Sequence, residues 1–262
     1  MFMTTHPAGP PDSLWRRTVV VVPALNETAC VGETVRQWLA LGVGCVRVVD
    51  NGSTDDTARV ARTAGAEIVA EPRRGYGAAA WRGLQDWPVH FDWVLFSSAD
   101  GSDRLAPEEM AAWQAAGKAG ADLVLGDRVS PAASRRQLKP LQRLGNWLCC
   151  VVIAAGWGRR FRDMASLRLV RRDALMRLCL ADRGFGWNVE MQVRALEQEL
   201  TVVELPVGYF PRRAGESKIS GSLSGTIRAG HGILRMLGQL WLLHRRHQMT
   251  LNSAPARPAT RA

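Results

Sequence analysis

Residues 18–53 read TVVVVPALNETACVGETVRQWLALGVGCVRVVDNGS and contain two short apolar runs with a helical stretch between them. The runs at residues 18–22 and 46–49 are rich in valine, a β-branched residue that is typical of strands. Between them, residues 28–41 carry apolar side chains at the spacing of one helix face. The pattern predicts a βαβ unit, in which the two strands are parallel.

The alternation of strands and helices continues beyond this unit. The sequence predicts helices over residues 57–64 and 77–85, and strands over residues 67–70 and 93–96. Strands that alternate with helices form a mostly parallel sheet with helices on both faces. We therefore expect an α/β protein of Rossmann-like architecture.

The chain of 262 residues is long enough for one large domain with short tails. We expect that domain over residues 18–225 and loose tails at residues 1–17 and 248–262. Residues 226–247 have an apolar helical face with basic residues among them, which is typical of an amphipathic helix at a membrane surface. The apolar segment 147–157 is shorter than the roughly 20 residues that cross a bilayer. For both segments, packing on the domain is the alternative.

The net charge limits the kinds of partner that the chain can bind, and its cysteines indicate the redox environment. The chain has a formal net charge of +10, which suits an anionic partner such as a phosphate, a nucleic acid or an acidic lipid surface. Its basic residues are spread widely and form no known nucleic-acid module, so we expect no nucleic-acid partner. The five cysteines show no metal-ligand spacing, and an odd number does not suit a disulfide framework. We therefore expect a reducing, cytoplasmic environment.

Polar clusters follow three of the predicted strands. They are Asn26-Glu27, Asp50-Asn-Gly-Ser53 and Asp100-Gly-Ser-Asp103. Ligands of parallel α/β sheets bind beyond the carboxyl ends of the strands, so the three clusters are expected to converge on one crevice. Turn chemistry explains any one such cluster, but its repetition in successive loops favours a shared ligand.

Four motifs carry a resemblance to a known family. They are Val21-Val-Pro-Ala-Leu-Asn-Glu27, Val49-Asp-Asn-Gly-Ser-Thr-Asp55, Arg73-Arg-Gly-Tyr-Gly-Ala-Ala79 and Ala99-Asp-Gly-Ser-Asp103. Together they resemble family 2 glycosyltransferases of GT-A fold. Two further motifs, Phe185-Gly-Trp-Asn-Val-Glu-Met-Gln192 and Arg213-Ala-Gly-Glu-Ser-Lys218, resemble the dolichyl-phosphate mannosyltransferase-like branch.

The resemblance implies an inverting transfer of a sugar from a nucleotide sugar to a polyprenyl phosphate. The enzyme is then expected to be peripheral on the cytoplasmic face of a membrane. The residues that the resemblance assigns to the nucleotide sugar are Pro23, Leu25, Glu27, Asp50, Gly75, Gly77 and Ala99. The two glycines would let the backbone approach the ligand, because a Cβ atom would intrude there.

The resemblance also implies a divalent cation, Mg²⁺ or Mn²⁺, with Asp100 and Ser102 as its ligands. Such a cation bridges the diphosphate oxygens and acts as a Lewis acid. The family usually has a second carboxylate at position 98, where this chain has Ser98. Asp100 alone is compatible with Mg²⁺, which commonly uses one or two carboxylates together with substrate phosphates. The alternative is a catalytically degenerate homologue that binds a nucleotide or a partner without turnover.

The acceptor side is implied by the same resemblance. Arg128, Arg213, Ser217 and Lys218 would hold the phosphate of the lipid, and Glu190 would orient groups on the acceptor side. Arginine binds phosphate through its planar fork and lysine as a point charge. The catalytic set is then Asp100, Arg128, Arg213 and Lys218. The segment Asp163-Met-Ala-Ser-Leu-Arg168 departs from the corresponding motif of relatives.

Overall fold

The computed structural model describes residues 13–212, 214 and 223–253, and its centre is a seven-stranded sheet. The strands are Thr18–Ala24 (β1), Cys45–Asp50 (β2), Glu67–Ala70 (β3), Trp93–Phe96 (β4), Leu123–Asp127 (β5), Arg168–Arg171 (β6) and Val202–Pro206 (β7). Their order across the sheet is β3-β2-β1-β4-β6-β5-β7. All neighbouring strands are parallel except β6, which runs antiparallel to both β4 and β5. The predicted α/β class and mostly parallel sheet are confirmed.

Helices cover both faces of the sheet. They are Thr28–Ala40 (α1), Thr57–Thr63 (α2), Tyr76–Gly83 (α3), Pro107–Lys118 (α4), Ala132–Gln137 (α5), Pro140–Trp157 (α6), Arg172–Arg177 (α7), Trp187–Glu197 (α8) and Leu223–Ser253 (α9). The valines of β1 show how the two faces are filled, because alternate side chains of a strand point to opposite sides. Val19 and Val21 belong to one buried cluster, whereas Val20 and Val22 belong to the other.

The strand β1 extends two residues beyond the predicted end at Val22. Pro23 lies in the strand and is opposite Val49 of β2. The neighbouring strand β4 pairs only with Thr18 to Val21. Proline has no N–H group to donate to a ladder. Because β4 has already ended at this level of the sheet, Pro23 breaks no hydrogen bond on that side.

The helices α6 and α9 pack on the domain and also present apolar side chains to solvent. Ile153 of α6 and Leu237 of α9 are buried, and α9 contacts both α6 and α8. On their outer sides, Trp147 of α6 is 52% exposed and Leu242 of α9 is 55% exposed. In the part of the chain that the structure describes, no helix is long and apolar enough to span a membrane.

Candidate functional site

The polar loops after β1 and β2 are bonded directly to each other. The backbone N–H of Asn26 donates to Ser53 Oγ at 2.9 Å, and the Asn26 side-chain oxygen accepts from the Thr54 N–H at 2.8 Å. Asp50, the last residue of β2, accepts from the Ser53 N–H at 3.0 Å. Pro23 and Leu25 are half-buried beside this junction at the end of β1. The first two of the three polar clusters therefore meet at one edge of the sheet.

The third cluster joins them through an arginine. The Arg212 guanidinium bonds to Glu27 through Nη2, and its Nη1 lies 3.9 Å from Asp100 Oδ2. Ala99, next to Asp100, is buried, and its carbonyl oxygen accepts from Thr34 Oγ1 of α1 at 3.2 Å. The predicted convergence of the three clusters is thus present in the structure.

Asp100 lies in a tight turn, with one carboxylate oxygen engaged. Its Oδ1 accepts from the Ser102 N–H at 3.0 Å and from Ser102 Oγ at 2.6 Å. Gly101 between them has a φ of 75°, a left-handed conformation that suits glycine. The Oδ2 atom faces the Arg212 guanidinium. Among residues 13–212, 214 and 223–253, no group of three or more His, Cys, Asp or Glu side chains gathers as a preformed metal cage.

Ser98 belongs to a closed hydrogen-bonded triangle beneath this turn. Its backbone N–H donates to Asp103 Oδ2 at 2.8 Å, and its hydroxyl lies 3.1 Å from the hydroxyl of Ser166. Ser166 in turn donates to the same Asp103 oxygen at 2.9 Å. Asp103 is only 2% exposed, and burial together with the charge of Asp100 raises its pKa. The loop 98–103 is therefore held in place by hydrogen bonds to the buried carboxylate of its own last residue, Asp103.

Arg128 is held in a buried ion pair. Its Nε and Nη2 atoms donate to the two carboxylate oxygens of Asp163 at 2.8 and 2.9 Å, and its guanidinium lies 5.0 Å from the Tyr209 ring centroid. Burial opposes ionisation of both groups, but their mutual charge and hydrogen bonds outweigh it, lowering the pKa of Asp163 and raising that of Arg128. The charge of Arg128 is therefore already compensated by Asp163, and its predicted role toward an acceptor stays a prediction.

Gly75 and Gly77 face the protein's own backbone. A Cβ atom on Gly75 would lie 2.3 Å from the Arg183 carbonyl oxygen, and one on Gly77 would lie 2.7 Å from that of Asp182. Gly75 also has a φ of 147°, which L-residues rarely adopt. These glycines therefore allow the backbone of segment 182–184 to lie close against the start of α3. Their role toward a nucleotide sugar stays a prediction.

Glu190 holds the same segment from the other side. It is 1% exposed, and its carboxylate accepts from the backbone N–H of Ala181 at 3.1 and 3.0 Å and from that of Asp182 at 2.8 Å. These contacts fix the chain that precedes α8. Contact with acceptor groups, as implied by the resemblance, stays a prediction. Arg213, Ser217 and Lys218 lie outside the described residues.

A groove of about 740 Å³ opens beside the Arg128–Asp163 pair. We call it the arginine groove, and its lining combines basic and apolar side chains: Val129, Ser130, Arg135, Pro140, Arg143, Leu144, Asn146, Trp147, Cys150, Arg160, Phe161 and Arg162. Asn146 connects α6 to the ion pair, because its side-chain oxygen accepts from the Met164 N–H at 2.7 Å. Arg162 lies 3.6 Å from Asp127, whereas Arg143 and Arg160 form no ion pair with a carboxylate of the described chain.

Comparison with known proteins identifies the family. Residues 19–178 match the family described as Glycosyl transferase family 2. The chain belongs to this family. It is similar to an uncharacterized glycosyltransferase of Mycobacterium bovis, with 39% identity over 80% of this chain and 93% of the relative. It is also similar to the polyprenol monophosphomannose synthase of Mycolicibacterium smegmatis, with 30% identity over 79% of this chain and 82% of the relative. The protein is a glycosyltransferase of the dolichyl-phosphate mannosyltransferase-like branch.

Solved structures establish the GT-A fold. The glucosyl-3-phosphoglycerate synthase of Mycobacterium tuberculosis, in complex with Mn²⁺, UDP-glucose and phosphoglyceric acid, has a TM-score of 0.68 to this chain. Its sequence is 21% identical, and the superposition covers 90% of this chain and 85% of that one. The GT-A fold implied by the motifs is thereby confirmed.

Three residues of this glycosyltransferase site were not predicted from its sequence motifs. Arg212 immediately precedes the motif that begins at Arg213, so the tandem arginine was the available signal. Asp163 and Ser166 lie in the segment that departs from relatives. Their partners are far away in sequence: Glu27 for Arg212, Arg128 for Asp163 and Ser98 for Ser166. Only the folded chain shows which groups they contact.

The triangle under Ser98 leads to a prediction for Ser98→Asp. The new carboxylate would lie near Asp103, because Ser98 and Asp103 both contact the Ser166 hydroxyl. Two carboxylates close together in a buried site repel each other. We therefore expect the free energy of unfolding to fall by about 2 kcal/mol. Urea denaturation measures this loss, and the double variant Ser98→Asp/Asp103→Asn should recover most of it. A single variant as stable as the wild type would contradict the prediction.

Proposed function

We propose that the enzyme transfers a sugar from a nucleotide sugar to a polyprenyl phosphate, with inversion at the anomeric carbon. The observation that carries the proposal is the continuity between Asp100 and the arginine groove. The backbone of Asp103 forms an isolated β-bridge with that of Tyr209, whose ring contacts Arg128, and Arg128 precedes Val129 of the groove lining. A sugar held at Asp100 therefore has an acceptor site for an anionic, apolar molecule on the same edge of the sheet.

The donor side suits a nucleoside diphosphate and a divalent cation. Asp100 offers Oδ2 and Ser102 offers a hydroxyl oxygen, which are hard oxygen ligands of the kind that Mg²⁺ and Mn²⁺ prefer. One carboxylate and one hydroxyl fit a cation whose other ligands are diphosphate oxygens and water. The M. tuberculosis synthase was solved with Mn²⁺ and UDP-glucose, which supports a divalent metal here. When bound, the cation would stabilise the negative charge of the leaving diphosphate.

The acceptor side suits a lipid phosphate. Arg143 and Arg160 supply cationic groups, and Leu144, Trp147 and Phe161 supply apolar surface in the same groove. Named relatives include the polyprenol monophosphomannose synthase and the undecaprenyl-phosphate mannosyltransferase of Micrococcus luteus, the latter 28% identical over 80% of this chain and 90% of its own length. We infer that the phosphate lies among the arginines and that the first isoprene units lie along α6.

The reaction needs no general base on the acceptor. A phosphate monoester has a second pKa of about 6, so its oxygen is largely ionised at neutral pH. That oxygen forms a bond to the anomeric carbon while the bond from this carbon to the donor diphosphate breaks. The electron pair of the broken bond leaves with the nucleoside diphosphate, and attack from the opposite face inverts the carbon. The task of the protein is to orient both phosphates and to stabilise the departing charge.

We also propose that the enzyme is peripheral on the cytoplasmic face of a membrane. Exposed Leu141, Leu144 and Trp147 on α6 and Leu234 and Leu242 on α9 provide apolar contact area. Arg245 lies 3.9 Å from the Trp241 ring centroid, and tryptophan with arginine is typical of the membrane interface. Binding to vesicles with and without anionic lipid, measured by sedimentation, tests this placement. Failure to bind either kind would contradict it.

A transfer assay tests the reaction. The purified enzyme, Mn²⁺, labelled nucleotide sugars and polyprenyl phosphate should give a labelled product that extracts into organic solvent. A parallel reaction with 3-phosphoglycerate separates a lipid acceptor from the soluble acceptor named for the M. tuberculosis synthase. If product forms only with phosphoglycerate, the proposal of a lipid acceptor is wrong. Binding of nucleotide by folded protein without any product would favour a degenerate homologue.

The arginine groove gives a prediction for Arg143→Gln and Arg160→Gln. Each variant removes a cation proposed to bind the acceptor phosphate, and a hydrogen bond to a charged group contributes about 1.5–3 kcal/mol. We expect KM for polyprenyl phosphate to rise about tenfold or more per variant, since roughly 1.4 kcal/mol corresponds to a factor of ten. Affinity for the nucleotide sugar should stay unchanged. Arg59→Gln on the exposed side of α2 is the matched control, and an equal rise there would contradict the assignment.

A further inference from the structure

Arg212 occupies the space between the two carboxylates of the donor side. Its Nη2 bonds to Glu27, its Nη1 is 3.9 Å from Asp100 Oδ2, and its Nε donates to the Ala214 carbonyl at 3.2 Å. The side chains are poorly exposed, at 17% for Arg212, 11% for Glu27 and 22% for Asp100. Water therefore screens this arrangement less than it screens a surface ion pair.

The charges of these groups are mutually dependent. Burial tends to lower the pKa of Arg212, but the hydrogen bond to Glu27 and the charges of Glu27 and Asp100 raise it overall. The guanidinium thus stays charged and compensates two carboxylates at once. The unengaged oxygen of Asp100, which is the one available to a metal ion, is also the oxygen that faces Arg212.

We propose that Arg212 is a resident counter-ion of the donor side, which a divalent cation must displace from Asp100. The cation and the guanidinium carry like charge and approach the same carboxylate oxygen, so their occupancy is competitive. Glu27 keeps the arginine nearby when it withdraws, because its bond to Nη2 does not involve Asp100. This inference rests on the proposed function in one respect, namely that the donor brings a diphosphate.

The exchange would make the enzyme select the metal–nucleotide complex over the free metal. A free cation that enters alone meets the positive charge of Arg212 and gains a single carboxylate. A cation that enters with a diphosphate brings compensating negative charge, which the displaced guanidinium can then contact through charge-assisted hydrogen bonds. Metal and nucleotide therefore bind cooperatively, each raising the affinity for the other by the same factor.

Binding of Mn²⁺ to the protein without nucleotide tests the exchange. Electron paramagnetic resonance of the free ion gives the dissociation constant directly. We expect Arg212→Gln to bind Mn²⁺ about tenfold more tightly than the wild type, because a like charge beside a poorly exposed carboxylate is gone. Addition of UDP or GDP should enhance Mn²⁺ binding strongly in the wild type and much less in the variant. Sugar transfer should nevertheless fall.

Three further variants make the result decisive. Arg212→Lys keeps the charge and should bind Mn²⁺ within about twofold of the wild type. Arg104→Gln is a matched control, since Arg104 is close to the same turn and its Nε donates to the Gly101 carbonyl at 3.0 Å. It should leave the Mn²⁺ affinity nearly unchanged. Glu27→Gln lets Arg212 turn fully toward Asp100 and should weaken Mn²⁺ binding, which gives an effect of opposite sign should Arg212→Gln fail to fold.

Two outcomes would overturn the inference. One is unchanged or weaker Mn²⁺ binding by folded Arg212→Gln, and the other is equal tightening by Arg104→Gln, which would indicate a general change of charge. Because this measurement uses neither sugar donor nor acceptor, it is separate from the transfer assay. If the wild type transfers no sugar but Arg212→Gln binds Mn²⁺ more tightly, the proposed function is rejected and the exchange is kept. If the wild type transfers sugar but Arg212→Gln does not bind Mn²⁺ more tightly, the exchange alone is rejected.

Discussion

Asp100→Asn should reduce the rate of sugar transfer about a thousandfold, a loss of the size seen when a group that stabilises developing charge is removed. The amide can still accept the hydrogen bonds from Ser102, so the turn keeps its shape. It carries no negative charge for a divalent cation. Single-turnover assays with nucleotide sugar and polyprenyl phosphate measure the effect, and thermal unfolding checks that the fold is intact.

Ser102→Ala is the matched control for this prediction. It removes the 2.6 Å hydrogen bond to Asp100 and a neutral oxygen ligand, but it leaves the carboxylate in place. We expect a loss of about tenfold, consistent with a hydrogen bond to a charged group. An Asp100→Asn enzyme that retains more than a tenth of wild-type activity would mean that metal and diphosphate meet elsewhere.

Asp163→Asn should lower the free energy of unfolding by about 3–5 kcal/mol, the usual cost of leaving one partner of a buried ion pair without its opposite charge. Arg128 would keep its positive charge at a place where its side chain is 14% exposed. Urea denaturation measures the loss. The exposed pair of Arg59 and Asp56 provides the control, since Asp56→Asn should have no measurable effect.

The double variant Arg128→Met/Asp163→Leu distinguishes the buried charge from simple loss of packing. Replacing both partners of a buried pair by apolar residues is often neutral for stability, so most of the loss should be recovered. Transfer should remain low in the double variant, because Arg128 is predicted to contact the acceptor and directly precedes Val129 of the arginine groove. A double variant as unstable as Asp163→Asn would show that the charges themselves are not the cause.

The same pair sets a pH dependence. Arg128 lowers the pKa of Asp163 below its ordinary value of 3.8, despite burial, which acts in the opposite direction. A carboxyl group whose pKa is lower in the folded state contributes stability above its unfolded pKa and loses it as pH falls through the folded value. The difference in stability between wild type and Asp163→Asn should therefore be full at pH 6 and shrink below about pH 4. A constant difference down to pH 2 would contradict this account.

The sequence was sufficient for the local part of the fold. The valine-rich runs predicted β1 and β2, and the polar loops that follow them do converge, because parallel strands end at the same edge. Pairings between distant residues needed the structure. Ser98 and Ser166 are 68 residues apart, and Arg128 and Asp163 are 35 apart, with no local pattern that joins them.

The glycines show a second limit of sequence reasoning. A motif with Gly75 and Gly77 indicates that something approaches the backbone closely, but it does not say what. The structure supplies segment 182–184 as that neighbour. Glu190 shows the same limit. A buried carboxylate needs hydrogen-bond donors, but only the structure shows that these are the backbone N–H groups of Ala181 and Asp182.

The reversed strand β6 determines when this site can form during synthesis. β6 lies between β4 and β5, so it connects the four strands made by residue 96 with the two outer strands β5 and β7. Because β6 is antiparallel to β4, it begins at the edge of the sheet where the parallel strands end. Ser166, two residues before β6, therefore lies next to Ser98. A nascent chain can assemble β1 to β4 early. The proposed catalytic edge cannot be complete before β6 has inserted, and it also needs Arg212 from later in the chain.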